Sequence, residues 1–214
     1  MRDSEKTRAE ILEAAFEVVY KRGFRASSVA EIIDKTGVTQ GAFFYHFPTK
    51  NLLGYALADE VLKDLILERW IRPLSAYRNP LQGMATRFRR LMEATSDEEL
   101  ALGCPLNNLT QEMSPIDPLF RDKLRALLVL WIDETERYLR KGQAGGYVRP
   151  DVDVKQAAEF IVMAEEGSAA IMKSLRDRKA YWSLYEMFRR FLESLSTNPR
   201  EFGPRSRVRP LVVN

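Results

Sequence analysis

Residues 39–53 read TQGAFFYHFPTKNLL and contain four aromatic rings within five positions. The only histidine of the chain, His46, lies in the middle of this stretch. If residues 39–47 form a helix, Phe43 and Phe47 are four positions apart and share one face. We therefore expect these two rings to anchor the helix in a core, with the other side chains pointing outward.

The outward side of this helix suits contact with a flat or negatively charged surface. Gly41 inside a helix costs roughly 1 kcal/mol relative to alanine, so a glycine here indicates close approach to another surface. Free N–H groups at a helix N-terminus suit a phosphate, and His46 and Lys50 add two donors that can be directed at phosphate. The other residues expected to face outward are Thr39, Gln40, Phe44 and Tyr45.

The flanking residues predict a second short helix and a tight turn before residue 39. Ser28-Val29-Ala30-Glu31 has the spacing of a capping box, which starts a helix. Gly37 ends that helix, and Thr39 is the expected N-cap of the next one. Two short helices joined by a glycine turn are typical of a helix-turn-helix motif, although many helical proteins also contain such a pair.

A longer amphipathic helix is predicted before this pair. Thr7-Arg8-Ala9-Glu10 has capping-box spacing, and Ser4 is a competing start. Gly23 after Lys21-Arg22 is typical of a helix C-terminus, with cations in the last turn and glycine beyond it. The apolar face of this helix comprises Ile11, Leu12, Ala15, Phe16 and Val19.

The rest of the chain also predicts helices, so the expected fold class is all-α. Helical segments are expected near 52–72, 80–95, 98–114, 117–142, 153–176 and 179–197, separated by proline and glycine. Pro48 should end the helix at residues 39–47, and Thr49 can cap the helix that follows. We expect residues 1–50 to form a three-helix domain, with the helix-turn-helix motif at about 28–47. Residues 51–197 would form a larger helical domain, and residues 198–214 a poorly ordered tail rich in proline and arginine.

The totals of the chain restrict the class of protein. Its 214 residues are 45% hydrophobic and 29% charged, the balance of an ordinary soluble globular protein. No apolar run approaches the roughly 20 residues that span a bilayer, and the charged N-terminus has no secretory signal, so we expect a cytoplasmic protein without membrane contact. Four arginines and one glutamate after Thr197 account for the whole net charge of +3. An argument for a nucleic-acid partner must therefore rest on local residues.

The run TGVTQGAFFYHFPTKNLL at residues 36–53 strongly resembles the TetR/AcrR family of bacterial transcriptional repressors. The spacing of apolar, glycine and serine residues from Ala15 to Ile33 resembles the same family, and the resemblance covers residues 7 to about 60. It implies a homodimeric repressor that binds a palindromic operator in double-stranded DNA and is released by a small-molecule effector. The residues implied to hold the phosphate backbone are Ser28, Thr39, Tyr45, His46 and Lys50, and those implied to face base edges in the major groove are Gln40, Gly41 and Ala42.

Phe44 departs from the pattern of the family, which usually has tyrosine at this position. A hydroxyl that could reach a phosphate is therefore missing at the expected DNA surface. Tyr45 is the neighbouring residue that can compensate for it. We expect the contact geometry of Phe44 to differ from that of the usual tyrosine.

The sequence shows no constellation typical of an enzyme or a metal site. There is no second histidine to accompany His46, and the single cysteine, Cys104, is distant in sequence. A zinc or catalytic site would therefore have to rely on carboxylates alone. No G-x-S-x-G elbow or P-loop occurs. We expect no enzymatic activity, no cofactor and no metal.

The resemblance implies that residues 51–197 form an effector-binding and dimerisation domain, in which helices near 154–175 and 179–195 pair two copies of the chain. Gly167 and the small residues at 168–170 would let another backbone come close. The wide apolar face of the last helix must be covered by the core, by a partner, or by both. That face comprises Tyr181, Leu184, Tyr185, Phe188, Phe191, Leu192 and Leu195.

The effector pocket is expected to combine apolar walls with a few polar groups. Candidate lining residues are Phe88, Met92, Cys104, Asn107, Asn108, Gln111, Met113, Trp131 and Glu165. Cys104 near a helix start could sense oxidants or electrophiles, but a buried structural role is commoner for such a residue. Two alternatives stay open: a helical ligand-binding protein of the same fold that binds no operator, and a regulator that responds through the thiol of Cys104.

Overall fold

The computed structural model describes residues 2–202, and its regular elements are helices, with one isolated antiparallel bridge between Val148 and Ser196. The α-helices are α1 (Arg2–Arg22), α2 (Val29–Thr36), α3 (Gln40–His46), α4 (Lys50–Ala56), α5 (Lys63–Ile66), α6 (Pro80–Ala94), α7 (Asp97–Leu102), α8 (Pro105–Met113), α9 (Pro118–Ala144), α10 (Val154–Leu175) and α11 (Arg178–Leu195). Two π-helical segments, Leu57–Leu62 and Leu67–Ile71, and two 3₁₀ helices, Arg72–Ala76 and Pro199–Phe202, complete the described elements. The expectation of an all-α fold is confirmed.

Helix α1 ends as expected but does not begin as expected. It already includes Arg2, so Ser4 and Thr7 lie inside the helix and neither of them caps it. The spacing of a capping box is compatible with a helix interior, and local sequence alone does not separate the two cases. At the other end, Gly23 has φ +88° and donates its N–H to the carbonyl of Val19 at 2.8 Å.

The described chain forms two compact units. The first contains the residues up to Ile66 together with Leu102–Val129, and the second contains Leu67–Ala101 together with the residues from Leu130 onward. The first unit therefore continues past the boundary expected at residue 50. The physical reason is that the π-helical segment Leu57–Leu62 packs on α1, a contact that no local sequence pattern announces.

The core of the first unit lies where α1, α2, α3 and α4 meet. Phe43 is fully buried in it and Phe47 is 3% exposed, so the predicted pair of ring anchors is present. The buried members of this cluster are Ile11, Leu12, Ala14, Ala15, Ile32, Phe43, Phe47, Leu53 and Leu57. Elsewhere in the unit, Gly54 permits a close approach: a Cβ at this position would lie 2.4 Å from the Phe120 ring and 2.5 Å from the Phe24 ring.

The core of the second unit is built mainly from α6, α10 and α11. Tyr181, Tyr185, Phe188 and Leu192 of α11 are buried in it. Most of the apolar face predicted for the last helix is therefore covered by the chain itself. What α11 leaves exposed is a smaller set, with Met187 at 58% and Trp182 at 38% exposure.

Two further segments differ from their predictions. The helix expected over 98–114 is interrupted, because Gly103 has φ +74° and Pro105 starts a new helix, α8. The tail expected to be poorly ordered begins with the 3₁₀ helix Pro199–Phe202, whose last carbonyl accepts a hydrogen bond from Arg189 at 3.5 Å. Residues 203–214 lie outside the described residues. Of the helices in the described part of the chain, none is long and apolar enough to cross a membrane.

Candidate nucleic-acid interface

Local caps define the pair formed by α2 and α3. The hydroxyl of Ser28 accepts the N–H of Glu31 at 3.2 Å, and the Glu31 carboxylate accepts the N–H of Ser28 at 2.8 Å. The predicted capping box is therefore present. Gly37, in the left-handed region at φ +68°, donates its N–H to Ile33 at 2.9 Å and ends α2. Thr39 then caps α3 by accepting the N–H of Ala42 at 3.2 Å.

Helix α3 has one buried and one exposed side. Phe43 and Phe47 point into the core of the first unit, and their ring centroids are 6.2 Å apart. On the other side, Tyr45 is 76% exposed and Phe44 is 40% exposed. Gln40 and Gly41 are also exposed, and Ala42 is half-buried. The residues predicted to face DNA thus lie on the exposed part of a helix that its two phenylalanines hold in place.

Gly41 has no packing reason to be a glycine. A Cβ built at this position would meet no atom within 4 Å. Glycine in a helix interior is nevertheless less favourable than alanine by roughly 1 kcal/mol. The described chain offers no compensation for this cost, which supports the prediction that another molecule approaches the backbone at this point.

The aromatic side chains after Gly41 differ in how far they are exposed and how closely they contact the core. The Phe44 ring meets the buried Phe43 ring edge to face at 5.3 Å, so Phe44 is partly tied to the core. Tyr45 and His46 meet edge to face at 5.1 Å. His46 is half-buried at the end of α3. Tyr45 therefore supplies the phenolic hydroxyl on this surface, next to the apolar ring of Phe44.

Ser28 is exposed, but its hydroxyl is already engaged. It accepts the N–H of Glu31 and also donates to the Glu31 carboxylate at 3.0 Å. The hydrogen bonds from Ser28 lower the pKa of Glu31, which favours a negative charge beside the start of α2. Arg22 forms an ion pair with the same carboxylate and offsets this charge. A phosphate near Ser28 would therefore also meet Arg22.

The prediction of a phosphate-directed donor requires that Lys50 extend freely toward solvent. In the structure it does not. Its ammonium donates to the carbonyl of Ser27 at 2.5 Å and to that of Arg25 at 3.3 Å. It also lies 4.8 Å from the centroid of the Phe24 ring. Partial burial lowers the pKa of Lys50. The first role of Lys50 in this structure is to hold the turn before α2.

Glu112 of α8 holds the same turn by accepting hydrogen bonds from the N–H groups of the turn. Its carboxylate accepts the N–H of Phe24 and the N–H of Arg25, each at 2.7 Å. We call residues 24–27, held by Glu112 and Lys50, the α1–α2 turn. The partners Phe24 and Glu112 are 88 positions apart, so no local pattern of residues predicts this contact.

Arg8 is a second residue that the sequence analysis missed. Its guanidinium forms two hydrogen bonds of 2.6 Å with Glu60 and lies 5.2 Å from the centroid of the Phe47 ring. The hydrogen bonds from Arg8 lower the pKa of Glu60. Arg8 thereby connects the end of α3 with the π-helical segment Leu57–Leu62.

Two family profiles match this chain. Residues 11–53 match the family described as bacterial regulatory proteins, tetR family, and residues 80–188 match the one described as tetracyclin repressor-like, C-terminal domain. The chain belongs to the TetR family. In this TetR-family protein, the N-terminal match contains α2 and α3 and the exposed surface described above. The chain is therefore a DNA-binding transcriptional regulator, with a helix-turn-helix domain followed by a helical C-terminal domain.

Individual relatives agree with this assignment. The HTH-type transcriptional repressor DhaR of Mycobacterium sp. (strain GP1) is 26% identical over 174 residues, which cover 80% of this chain and 85% of DhaR. The HTH-type transcriptional repressor KstR2 of Mycobacterium tuberculosis (strain ATCC 25618 / H37Rv) is 28% identical over 158 residues, which cover 72% and 75% of the two chains. A TetR-family regulator from Cytophaga hutchinsonii has the same fold, with a TM-score of 0.80 at 20% identity over 92% of this chain and 98% of that chain.

TetR-family regulators bind DNA operators, act as dimers and are not enzymes. This agrees with the prediction that the chain has no catalytic constellation. Within residues 2–202 of the TetR-family chain, no group of three or more histidine, cysteine, aspartate or glutamate side chains could hold a metal ion.

Five of the residues predicted to line an effector pocket lie in the first unit, on or next to α8. Asn108 borders a cavity of about 20 Å³, which is room for about one water rather than for an effector. Gln111 is exposed and Met113 is buried, whereas Asn107 is half-buried. Cys104, the N-cap residue of α8, is partly exposed. A buried structural role, the commoner one for such a cysteine, would require it to be buried.

The other four predicted pocket residues of the TetR-family chain lie in the second unit. Phe88 and Met92 are buried members of its core. Trp131 is buried and stacks on Trp70 with a centroid distance of 5.3 Å. Glu165 is 6% exposed. Residue type alone selected the nine candidates, and the fold divides them between two compact units.

A surface groove of about 610 Å³ in the second unit contains none of the predicted effector residues. Its lining is largely charged, and Arg178 crosses it to pair with Asp97 at 2.8 Å. The lining residues are Asp97, Leu100, Ala101, Arg176, Asp177, Arg178 and Lys179. This groove therefore lacks the mainly apolar walls of a typical effector pocket.

Proposed function

We propose that this TetR-family protein is a homodimeric repressor that binds a palindromic operator through α3 and leaves it when a small-molecule effector binds the C-terminal helices. The observation that carries the proposal is the exposed side of α3. Gly41 and the 76% exposed Tyr45 lie on it, while Phe43 and Phe47 fix the helix from behind. The repressor names of the relatives DhaR and KstR2 support repression as the outcome.

The proposed roles follow the position of each residue along α3. The N-terminal residues of a recognition helix contact base edges in the major groove, so Gln40, Gly41 and Ala42 take this place. The amide of Gln40 suits the donor and acceptor pair of an adenine. At the other end, the Tyr45 hydroxyl and the His46 imidazole are placed for phosphates, which position the protein without reading sequence.

The α1–α2 turn positions Ser28, which is the proposed phosphate contact at the start of α2. Thr39 and Ser28 stand at the N-termini of α3 and α2, where free N–H groups favour a phosphate. Lys50 and Glu112 hold the turn just before Ser28 through its carbonyls and its N–H groups. Because an ammonium has three donors and Lys50 uses two of them on carbonyls, one donor remains for DNA. Lys50 therefore acts first as a positioning residue.

The outer side of α10 supports pairing of two copies. Phe160 is 50%, Met163 65%, Ile171 58% and Leu175 55% exposed. Their spacing puts them on one face, together with Gly167, where a Cβ would meet open space. Contiguous exposed apolar patches are typical of interaction sites. A two-fold pair would present two α3 helices to successive major grooves about 34 Å apart, which suits a palindromic operator.

Release requires that the effector bind the DNA-incompetent arrangement better than the competent one. The helical run from Lys50 to Ile71 is the proposed lever, because it begins at the α1–α2 turn and contains both π-helical segments. Such segments are frequent at functional sites within helices. A protein with this task acts where the chromosome is, so we place it in the cytoplasm.

Fluorescence anisotropy with the intergenic DNA next to the coding region, at about 150 mM salt, tests the proposal. His46→Ala should weaken binding to operator and unrelated duplex alike, because a phosphate contact carries no sequence information. Gln40→Ala should instead relax sequence preference, by about 1–3 kcal/mol at the base pair it contacts. The matched control is Gln156→Ala, the same change at an exposed position of α10.

The outcome that overturns the proposal is equally plain. A wild-type protein that binds the intergenic DNA no more tightly than unrelated duplex is not an operator-binding repressor. The alternative of a ligand-binding protein with this fold but without operator binding would then take its place.

A further inference from the structure

Glu165 has a buried carboxyl oxygen that accepts no hydrogen bond from the described residues. It lies in the middle of α10 and is 6% exposed. Among the described residues, none donates a hydrogen bond to its Oε2 atom. Buried polar atoms of native proteins are nearly always paired, so an exception of this kind needs an explanation.

The side of α10 that carries Glu165 is otherwise apolar. Ile161 and Met172, four positions before and seven positions after it, share its face and belong to the core of the second unit. Phe88 of α6 lies in the same core, with its ring 4.8 to 6.2 Å from those of three aromatic residues of α11. Those residues are Tyr181, Tyr185 and Phe188. Glu165 therefore shares a helix face with residues of a core that is rich in aromatic rings.

The charge next to Glu165 makes its position worse rather than better. Burial raises the pKa of Glu165 well above its usual range, and the neighbouring carboxylate of Glu166 raises it further. A methionine or leucine would fill this position on the helix without such a cost. A carboxylate in an apolar place is stabilised by a cation that donates hydrogen bonds to it, and aromatic rings stabilise the same cation through their faces.

We propose that the effector of this protein is an organic amine with an apolar body, whose protonated nitrogen donates to the carboxylate of Glu165 while the body packs among the aromatic residues of the second unit. This inference rests on the proposed function, in which the C-terminal helices bind an effector. It adds the chemical class of that effector and the residue that recognises it.

Three probes with one carbon skeleton test the proposal: phenylbutylamine, phenylbutanol and phenylbutyrate. Binding is followed on the full-length protein by tryptophan fluorescence, since Trp70 and Trp131 lie in the second unit, and by the shift of the melting temperature. We expect the amine to bind at least about tenfold more tightly than the alcohol, and the carboxylate to bind more weakly than both.

Glu165→Gln keeps the size of the side chain and removes the negative charge. We expect it to abolish the preference for the amine while leaving the affinity for the alcohol within about twofold. Glu159→Gln is the matched control, because Glu159 lies on the same helix at a partly exposed position, and it should keep the preference. The comparison of the three probes on the wild-type protein remains decisive if Glu165→Gln does not fold.

Equal affinities for amine and alcohol, no binding of any probe, or a preference for the amine that survives in Glu165→Gln would each overturn the inference. Operator binding of the wild-type protein is measured in parallel without probes. If operator binding is intact and the amine preference is absent, the inference alone is wrong. If the wild-type protein binds no operator, the proposed function fails whatever the probes show.

Discussion

Helices α3 and α10 each have two useful sides, but they use them in opposite ways. The seven-residue α3 buries two rings, Phe43 and Phe47, and exposes an amide, a glycine and a phenol. The 22-residue α10 exposes apolar side chains such as Met163 and buries a carboxyl group, Glu165. On α3 the amide and the phenol face outward, whereas on α10 the carboxyl group of Glu165 faces inward.

This difference indicates what each side meets. An exposed side that carries an amide and a phenol and is open at Gly41 fits the groove and phosphates of a duplex better than an apolar protein surface. An exposed side that is apolar over several turns fits a second copy of itself. The inner side of α3 is wholly apolar and serves packing, while the inner side of α10 contains a group that packing alone does not require.

The largest effect on operator binding is expected on the outer side of α10. Replacing Met163 and Ile171 together by aspartate places two carboxylates in the proposed interface, where unpaired charges are costly. The monomer should stay folded, because the two side chains are 65% and 58% exposed. We expect dissociation of the dimer in analytical ultracentrifugation and a loss of operator affinity of at least about 100-fold, since two linked half-sites become one.

Gln156→Asp on the same helix is the control for the double aspartate variant and should leave both the dimer and operator binding intact. A double aspartate variant that remains dimeric would show that the outer side of α10 is not the interface. The conclusion that this side meets a second copy of the chain would then be wrong.

The two sides of α3 are separated by one pair of variants. Phe43→Ala should lower the free energy of unfolding by about 3–5 kcal/mol, because it empties a fully buried site. Tyr45→Ala should change that free energy by no more than about 0.5 kcal/mol and weaken operator binding about tenfold. Urea unfolding and anisotropy measure the two quantities. Strong destabilisation by Tyr45→Ala would mean that this ring belongs to the core.

Removing the carboxyl group from the inner side of α10 should stabilise the protein, and the gain should depend on pH. Glu165→Met should raise the free energy of unfolding of the ligand-free protein at pH 7 by on the order of 1–3 kcal/mol, the usual cost of an unsatisfied buried polar group. Burial and Glu166 raise the pKa of Glu165 in the folded state. At pH 7 the unfolded chain therefore releases a proton that the folded chain resists releasing, which destabilises the wild type.

Below the pKa of the unfolded chain, near pH 4, the carboxyl is protonated in both states and this part of the gain should disappear. Thermal unfolding at pH 7 and at about pH 4 tests the sign, with Glu159→Met as the control on the same helix. A gain that is equal at both pH values would show that the charge of Glu165 has no part in it.

The smallest effect is expected at Gly41, where two quantities should move in opposite directions. Gly41→Ala should stabilise the fold by up to about 1 kcal/mol, because the new methyl group meets open space, and should weaken operator binding about tenfold. Gly37→Ala is the informative counterpart. Gly37 has φ +68°, so alanine there should destabilise by about 1–2 kcal/mol. If Gly41→Ala leaves operator affinity unchanged, no surface approaches the backbone at this position.

Local features of α2 and α3 could be predicted from the sequence because their causes lie within a few residues. The caps at Ser28 and Thr39, the left-handed turn at Gly37 and the pairing of Phe43 with Phe47 all follow from spacing. The same local reasoning was wrong at the start of α1, where capping-box spacing occurs inside a helix. It also missed the break at Gly103.

Residues whose role depends on distant partners could not be predicted in this way. Lys50 was expected to point at phosphate, but its ammonium holds the carbonyls of Ser27 and Arg25. Glu112 was not expected at all, and it holds the N–H groups of the same turn. The sequence left open whether the core or a partner covers the apolar face of α11. Other residues of the second unit cover most of that face, and these residues are distant in sequence.

The order of residues along the chain determined the helices, the glycine turn and the resemblance to TetR regulators, because hydrogen bonds and caps within a helix involve near neighbours. The tertiary structure decided which side of each helix stays exposed and where Lys50 and Glu112 meet the α1–α2 turn. It also decided that a carboxyl oxygen of Glu165 is buried without a hydrogen bond from the described residues. These properties depend on surfaces brought together from positions far apart in sequence, and no short stretch of residues contains that information.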